Sequence, residues 1–61
     1  MDEQVLERAI EVFGTREKAI QWFNSPIPAL GGKVPAELLK TPEGAELVMN
    51  TLGRIEYGLF A

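Results

Sequence analysis

The sequence has 61 residues and contains neither cysteine nor histidine. Without cysteine it can form no disulfide and no thiolate zinc site, and without histidine it lacks the side chain most often used as a general base. Ser25 is the single serine, and no histidine is present to activate it as a nucleophile. The carboxylates form no obvious catalytic motif. We therefore expect no enzyme activity, no metal and no cofactor.

Long apolar runs are also missing, since the longest are three residues. A membrane-spanning helix needs about 20 apolar residues, and the core of a signal peptide needs at least about 7. The absence of cysteine likewise gives no reason to expect an oxidising compartment. The sequence therefore predicts a cytoplasmic protein with no membrane partner.

Basic residues are few and scattered: six Lys and Arg stand against nine acidic residues, for a net charge of −3. Nucleic-acid-binding proteins usually carry a clustered basic patch, so we expect no nucleic-acid partner through this domain. An acidic surface is better suited to a basic protein partner. A single domain this short buries only about 60% of the surface of its unfolded chain. Its stability should be marginal, and a partner or a second copy would increase it.

Apolar residues recur at helical spacing near the amino terminus and predict a first helix over residues 3–13. Glu3, Glu7 and Glu11 lie along its other side, either as a solvated acidic face or as a docking stripe for a basic partner. Gly14 should end this helix in the left-handed conformation. Thr15 is a suitable N-cap for a second helix over residues 16–24.

A proline- and glycine-rich loop, residues 26–34, follows the second helix. Its prolines predict an extended, strand-free path, and Gly31-Gly32 predicts a tight turn. Pro35 is well placed at the first position of a short third helix, residues 35–40, but Val34 before it has no side-chain acceptor and is a poor cap.

The longest helix is predicted over residues 42–57, with Thr41 as its cap. Its core side should consist of Ala45, Val48, Leu52, Ile55 and Leu59. Gly58 should end the helix and leave residues 59–61 as a short apolar tail. Gly53, in mid-helix, indicates either close approach of another backbone or simple tolerance of glycine.

Together these elements predict an all-α fold. The expected architecture is a compact bundle of about four short helices, with the Pro/Gly-rich loop between helices 2 and 3. One domain should span residues 1–61. Trp22 and Phe23 are expected in its core rather than in a ligand cage, because so short a chain has few large side chains to spare.

The last helix also carries a second group of residues at helical spacing, on a different side from its core residues. The group consists of Leu47, Thr51, Arg54 and Gly58, flanked by Asn50 and Tyr57. A mixture of Leu, Arg and Tyr with small residues between them is typical of a protein-binding patch. The alternative is an ordinary scatter of surface residues.

The chain from Glu11 onward carries an ordered set of short motifs. They are Val12-Phe13-Gly14, Ala19 with Trp22, Pro28-Ala29-Leu30-Gly31-Gly32, Pro35 with Glu37-Leu38-Leu39, Thr41 with Glu43-Gly44, and Leu52-Gly53-Arg54-Ile55-Glu56-Tyr57-Gly58. In this order they resemble the toxin-binding domain of the Xre/MbcA/ParS antitoxin family. Members of the family favour Thr or Ser at the position of Val34, and they typically carry an N-terminal helix-turn-helix domain, which residues 1–61 do not contain.

The resemblance implies an antitoxin module of a type II toxin–antitoxin system. Its partner would be a RES-domain toxin that consumes NAD or transfers its ADP-ribose, and the antitoxin would block the entrance of the toxin's active site. The expected toxin-binding residues are Leu47, Asn50, Thr51, Arg54, Tyr57, Gly58 and Phe60, with Gly31 and Gly32 as a second contact. Arg54 would pair with a toxin carboxylate, or lie where a substrate phosphate or its carboxylate partner belongs.

The alternative hypothesis is a homodimerisation domain that pairs the DNA-binding heads of a longer transcriptional repressor. Its candidate surface is the wide apolar side of the first helix, from Val5 to Val12. The two hypotheses are compatible, so a possible homodimer is expected beside the toxin partner.

Overall fold

The computed structural model describes residues 2–60, except for the side chains of Leu59 and Phe60. Within that range it contains four α-helices, and no strand is formed. The helices are α1 (Glu3–Phe13), α2 (Arg16–Phe23), α3 (Pro35–Leu38) and α4 (Pro42–Phe60), with a 3-10 helix at Pro28–Leu30. The molecule measures about 28 × 21 × 18 Å. The prediction of an all-α bundle of about four short helices is confirmed.

The corner between α1 and α2 is built from two adjacent residues, Gly14 and Thr15. Gly14 has a φ of 93°, and its N–H donates to the carbonyl oxygen of Ile10 at 2.7 Å. Thr15 is extended and accepts a hydrogen bond from the N–H of Lys18 at 3.2 Å through its Oγ1. Helix α1 thus ends and α2 begins within two residues, as predicted.

The loop between α2 and α3 is more ordered than an extended path. Ile27 and Lys33 form an isolated antiparallel bridge, in which the N–H of Ile27 donates to the carbonyl oxygen of Lys33 at 3.1 Å. Gly31 and Gly32, with φ of 69° and 80°, reverse the chain between them. The predicted tight turn at Gly31-Gly32 is confirmed, whereas the predicted extended path is wrong because Pro28–Leu30 form a 3-10 helix. Leu30 is buried and anchors the loop to the body of the domain.

The close backbone approach in this fold occurs at Gly44, in the first turn of α4. A Cβ added there would lie 1.8 Å from the carbonyl oxygen of Leu38, at the end of α3. The N–H of Gly44 also donates to Oγ1 of Thr41 at 3.0 Å, which confirms Thr41 as a cap. A Cβ added at Gly53 would meet no atom within 4 Å. Close approach is therefore not the reason for Gly53.

Helices α2, α3 and α4 depart from their predicted bounds, and α2 ends at Phe23 rather than at residue 24. Helix α3 ends at Leu38 rather than residue 40, and Val34 gives it no side-chain cap. Helix α4 continues through Gly58 to Phe60, so the predicted end at Gly58 and the separate tail are wrong. The reason is conformational: a glycine ends a helix when it adopts a positive φ, and Gly58 does not.

The core lies where α1, α2 and α4 meet. Its buried members are Val5, Ala9, Val12, Ala19, Phe23, Val48 and Leu52. Phe23 is fully buried, and Trp22 is half-buried at the rim with its ring 5.5 Å from that of Phe13 and 5.2 Å from that of Phe23. The expectation that Trp22 and Phe23 belong to the core is confirmed.

Candidate protein-binding site

The core contacts of α4 determine which of its side chains face outward. Val48 and Leu52 are fully buried, and Ile55 packs against the same core. At 100° per residue, a different group of residues falls within an arc of about 100° on the outside of the helix. This group, here called the outer face of α4, consists of Leu47, Asn50, Arg54, Tyr57 and Gly58.

All five residues of the outer face are exposed. Tyr57 is the most exposed large apolar side chain of the described residues, at 79%, and Leu47 is 44% exposed. Arg54 lies between them along the helix. The structure therefore brings these five predicted site residues onto one accessible surface, and their role in toxin binding stays a prediction.

Thr51 is the exception. Its side chain is 5% exposed, and its Oγ1 donates a hydrogen bond to the carbonyl oxygen of Leu47 at 2.8 Å. The expectation that Thr51 lies on an accessible surface is wrong. On the helix it lies only about 40° from Ile55, at the edge of the core side, and its hydroxyl is satisfied by its own backbone.

Two further predicted contacts lie apart from the outer face. The side chain of Phe60 lies outside the described part of the chain. Gly31 and Gly32 are exposed, but they belong to the loop between α2 and α3 rather than to α4. Their positive φ values demand glycine whatever their function, so their presence in the sequence is explained by the turn alone.

Arg54 has no carboxylate within 4 Å among the described residues, as is also true of Arg16, Lys18 and Lys33, but it alone of these four lies on the outer face of α4. Arg8 pairs with Glu56 and also lies 3.7 Å from Glu11. Lys40 pairs with Glu37 at 2.8 Å, and that hydrogen bond and the charge of Glu37 raise the pKa of Lys40. Arg54 therefore offers its guanidinium group, with five hydrogen-bond donors, to a partner.

The pair between Arg8 and Glu56 was missed by sequence reasoning. The two residues are 48 positions apart, on α1 and α4, and no helical spacing relates them. Only the packing of α1 against α4 brings them together. No sequence signal short of the tertiary fold would have identified this contact.

The apolar side of α1 is occupied within the domain. Val5, Ala9 and Val12 are buried, and Leu6 and Ile10 pack against the same core. The surface proposed for homodimerisation is therefore largely covered by α2 and α4. A homodimer stays a prediction, but without the candidate surface on which it was based. Glu3, Glu7 and Glu11 are exposed on the other side of the helix.

The described residues contain no group of three or more Asp, Glu, His or Cys side chains placed to hold a metal ion. None of their helices is both long enough and apolar enough to cross a membrane.

Comparison with known proteins gives matches along most of the chain. Antitoxin Xre of Photorhabdus laumondii is 44% identical over 57 residues, which are 92% of this chain and 38% of that protein. Antitoxin Xre of Yersinia enterocolitica is 41% identical over 59 residues, 95% of this chain and 40% of that protein. The Prs ADP-ribosylating antitoxin of a Sphingobium species is 43% identical over 49 residues, 80% of this chain and 31% of that protein.

These relatives are antitoxins, and the chain spans between 31% and 40% of their length. No solved structure matches the chain. The sequence profile of the Antitoxin Xre/MbcA/ParS C-terminal toxin-binding domain matches residues 8–58, which include α2, α3, most of α1 and the entire outer face of α4. The chain therefore belongs to the Xre/MbcA/ParS family of antitoxin C-terminal toxin-binding domains.

Proposed function

We propose that this domain is the toxin-binding module of a type II antitoxin and that it inhibits a RES-type toxin. The toxin would consume NAD or transfer its ADP-ribose. The family of the domain and its antitoxin relatives support the general role. The relative from Sphingobium carries ADP-ribosylation in its name, which is the same chemistry. The domain itself supplies surface and shape, and the chemistry belongs to the partner.

The outer face of α4 is the proposed contact. The observation that carries this proposal is the position of Arg54, an exposed cation without a carboxylate neighbour among the described residues, between the exposed apolar side chains of Leu47 and Tyr57. Arg and Tyr are the residue types most often found as anchors of protein interfaces. Arg54 would pair with a toxin carboxylate at the rim of the entrance, and Tyr57 would bury apolar area beside it.

The acidic charge of the domain supports the choice of partner. A site that binds an anionic dinucleotide tends to be basic, and a net charge of −3 on the inhibitor favours its approach to such a site. Helix α4 would then cover the entrance through which NAD must pass.

The binding test uses Arg54→Ala and Tyr57→Ala, with toxin affinity measured by calorimetry. Each change should weaken binding by about 30-fold, since truncation of an interface anchor costs about 2 kcal/mol or more. Arg16→Ala is the matched control, because Arg16 is an exposed arginine on α2 and, like Arg54, has no carboxylate within 4 Å among the described residues. Unchanged affinity in both outer-face variants would exclude this face as the contact.

Blocking of the entrance is tested separately by toxin activity. The parent chain should inhibit NAD consumption, and a higher NAD concentration should raise the amount of domain needed for half-inhibition. Inhibition that does not depend on NAD concentration would be consistent with toxin binding but would contradict the proposal that α4 covers the entrance to the active site.

A further inference from the structure

The ion pair between Arg8 and Glu56 connects α1 to the C-terminal half of α4. An Nη of Arg8 donates to an Oε of Glu56, and the two side chains are 31% and 30% exposed. The pair is therefore partly shielded from solvent. By contrast, the pair of Lys40 with Glu37 joins exposed side chains within one short segment of chain. A shielded Arg–carboxylate contact between two helices is stronger than such a surface pair and restrains their relative position.

This ion pair lies near the C-terminal end of α4, beyond the last residues of the helix that pack on the core. The last fully buried side chain of the helix is Leu52, and the last described side chain that packs on the core is Ile55. Glu56 follows directly and holds α1 through its carboxylate, whereas the next residues, Tyr57 and Gly58, are exposed. The final turn of a helix has unsatisfied carbonyl groups and tends to fray. Glu56 is thus the last described attachment point before the end of the outer face.

We propose that Arg8 is a positioning residue for partner binding. It does not contact the toxin, but by holding Glu56 it keeps the last turns of α4 helical and attached to α1. Arg54 and Tyr57, which flank Glu56, are therefore held in place before the partner arrives. Such preorganisation increases affinity because less conformational entropy is lost on binding. This inference rests on the proposed function.

The test compares Arg8→Met with Glu56→Gln. Both remove the ion pair, and Met keeps the apolar stem of the arginine. Each variant should bind the toxin about 5-fold more weakly, the factor that corresponds to a loss of about 1 kcal/mol. In the free domain, the amides of Tyr57 and Gly58 should exchange with solvent several-fold faster, whereas those of Val48 and Leu52 should be unchanged.

Two controls separate positioning from general stability. Lys40→Met removes an exposed ion pair just before the N-terminal end of α4, at the opposite end of that helix from Tyr57, and should change neither affinity nor exchange at Tyr57. The variant Arg8→Glu/Glu56→Arg, made together with Glu11→Gln because Glu11 lies 3.7 Å from Arg8, restores the pair with its charges exchanged. It should recover affinity to within about twofold of the parent, which a residue needed only for its own bulk would not allow.

Several results would overturn the proposal. These are unchanged affinity in both single variants, faster exchange at Tyr57 without loss of affinity, and unfolding of the entire domain in both. If Arg54→Ala weakens toxin binding and Arg8→Met does not, only the positioning role fails. If neither variant changes toxin binding, both the positioning role of Arg8 and the outer face as the toxin contact are contradicted.

Discussion

Two glycines of α4 have different surroundings, and only the packing of the helix distinguishes them. Gly44 faces the carbonyl oxygen of Leu38, where even one added carbon would overlap it. Gly53 has free space at its Cβ position and lies in the middle of the helix. The first glycine is required by the contact of α3 with α4, and the second only weakens the helix.

Substitution of each glycine by alanine should therefore have opposite effects. Gly44→Ala should lower the free energy of unfolding by about 1–3 kcal/mol, because α3 and α4 must separate to admit the methyl group. Gly53→Ala should raise it by about 1 kcal/mol, because alanine favours the helix. Urea denaturation monitored by circular dichroism measures both. A Gly44→Ala domain as stable as the parent would contradict the close approach.

Thr51 shows a second effect of packing at the scale of one residue. The pattern of the last helix places it beside Leu47 and Arg54, yet its side chain is 5% exposed and its hydroxyl bonds to the backbone of Leu47. A position about 40° from Ile55 is close enough to the core side to be covered by the neighbouring elements. The outer face of α4 is correspondingly narrower than the predicted patch.

At the scale of the elements, the helix starts follow the capping residues. Thr15 and Thr41 each accept a backbone hydrogen bond at a helix start, at 3.2 and 3.0 Å. Val34 is extended, with φ of −86° and ψ of 123°, and offers no acceptor to α3. Helix α3 is a single turn and is therefore held by Pro35 and by its contacts with α4 rather than by a cap.

A cap at position 34 should stabilise the domain. Val34→Thr keeps the shape of the side chain, adds an acceptor in an extended conformation suited to an N-cap, and should raise the free energy of unfolding by up to about 1 kcal/mol. Thr15→Val makes the reverse change at α2 and should lower it by about 1 kcal/mol. Thermal denaturation of the two variants measures both effects. A loss of stability in Val34→Thr would show that burial of the valine outweighs the cap.

The continuation of α4 through Gly58 gives a prediction for the end of the helix. A glycine with positive φ loses stability when replaced by alanine, whereas a helical glycine gains up to about 1 kcal/mol. Gly58→Ala should therefore increase helicity and leave no penalty in thermal denaturation, and a Cβ there would meet nothing within 4 Å. Gly14→Ala, at a φ of 93°, is the control and should be destabilising. If Gly58→Ala destabilised the domain as Gly14→Ala does, the helix would end at Gly58.

At the scale of the whole molecule, the core is small. Of the described residues, the largest fully buried side chains are Phe23, Leu52 and Val48 in the core and Pro35 at the start of α3. A 61-residue domain of this kind has little stability in reserve. Binding to a partner would therefore add substantially to its stability.

The melting temperature of the domain should accordingly depend on toxin concentration. Free toxin at 100 times its dissociation constant stabilises the folded state by about 2.7 kcal/mol. Calorimetric melting of the mixture should show the increase, and Tyr57→Ala should reduce it without changing the melting temperature of the free domain, since Tyr57 is 79% exposed. A melting temperature independent of toxin would contradict the proposed function.

The sequence by itself determined the helical elements, most of their caps and the family. Apolar spacing of 3.6 residues, Gly14 beside Thr15, and Thr41 before Pro42 are local signals, and local signals act through neighbouring backbone groups. The family could also be identified from the sequence, because its motifs are short and occur in a characteristic order along the chain. Exposure of Arg54 and Tyr57 followed from the spacing of the core residues.

Only the tertiary structure decided the features that depend on distant contacts. The pair of Arg8 with Glu56 and the approach of Gly44 to Leu38 exist because helices pack against one another. The covering of Thr51 depends in the same way on which elements surround α4. Such contacts involve residues whose separation in sequence follows no period, so no pattern along the chain encodes them. They nevertheless determine how much of the outer face is accessible and how firmly its last turn is held.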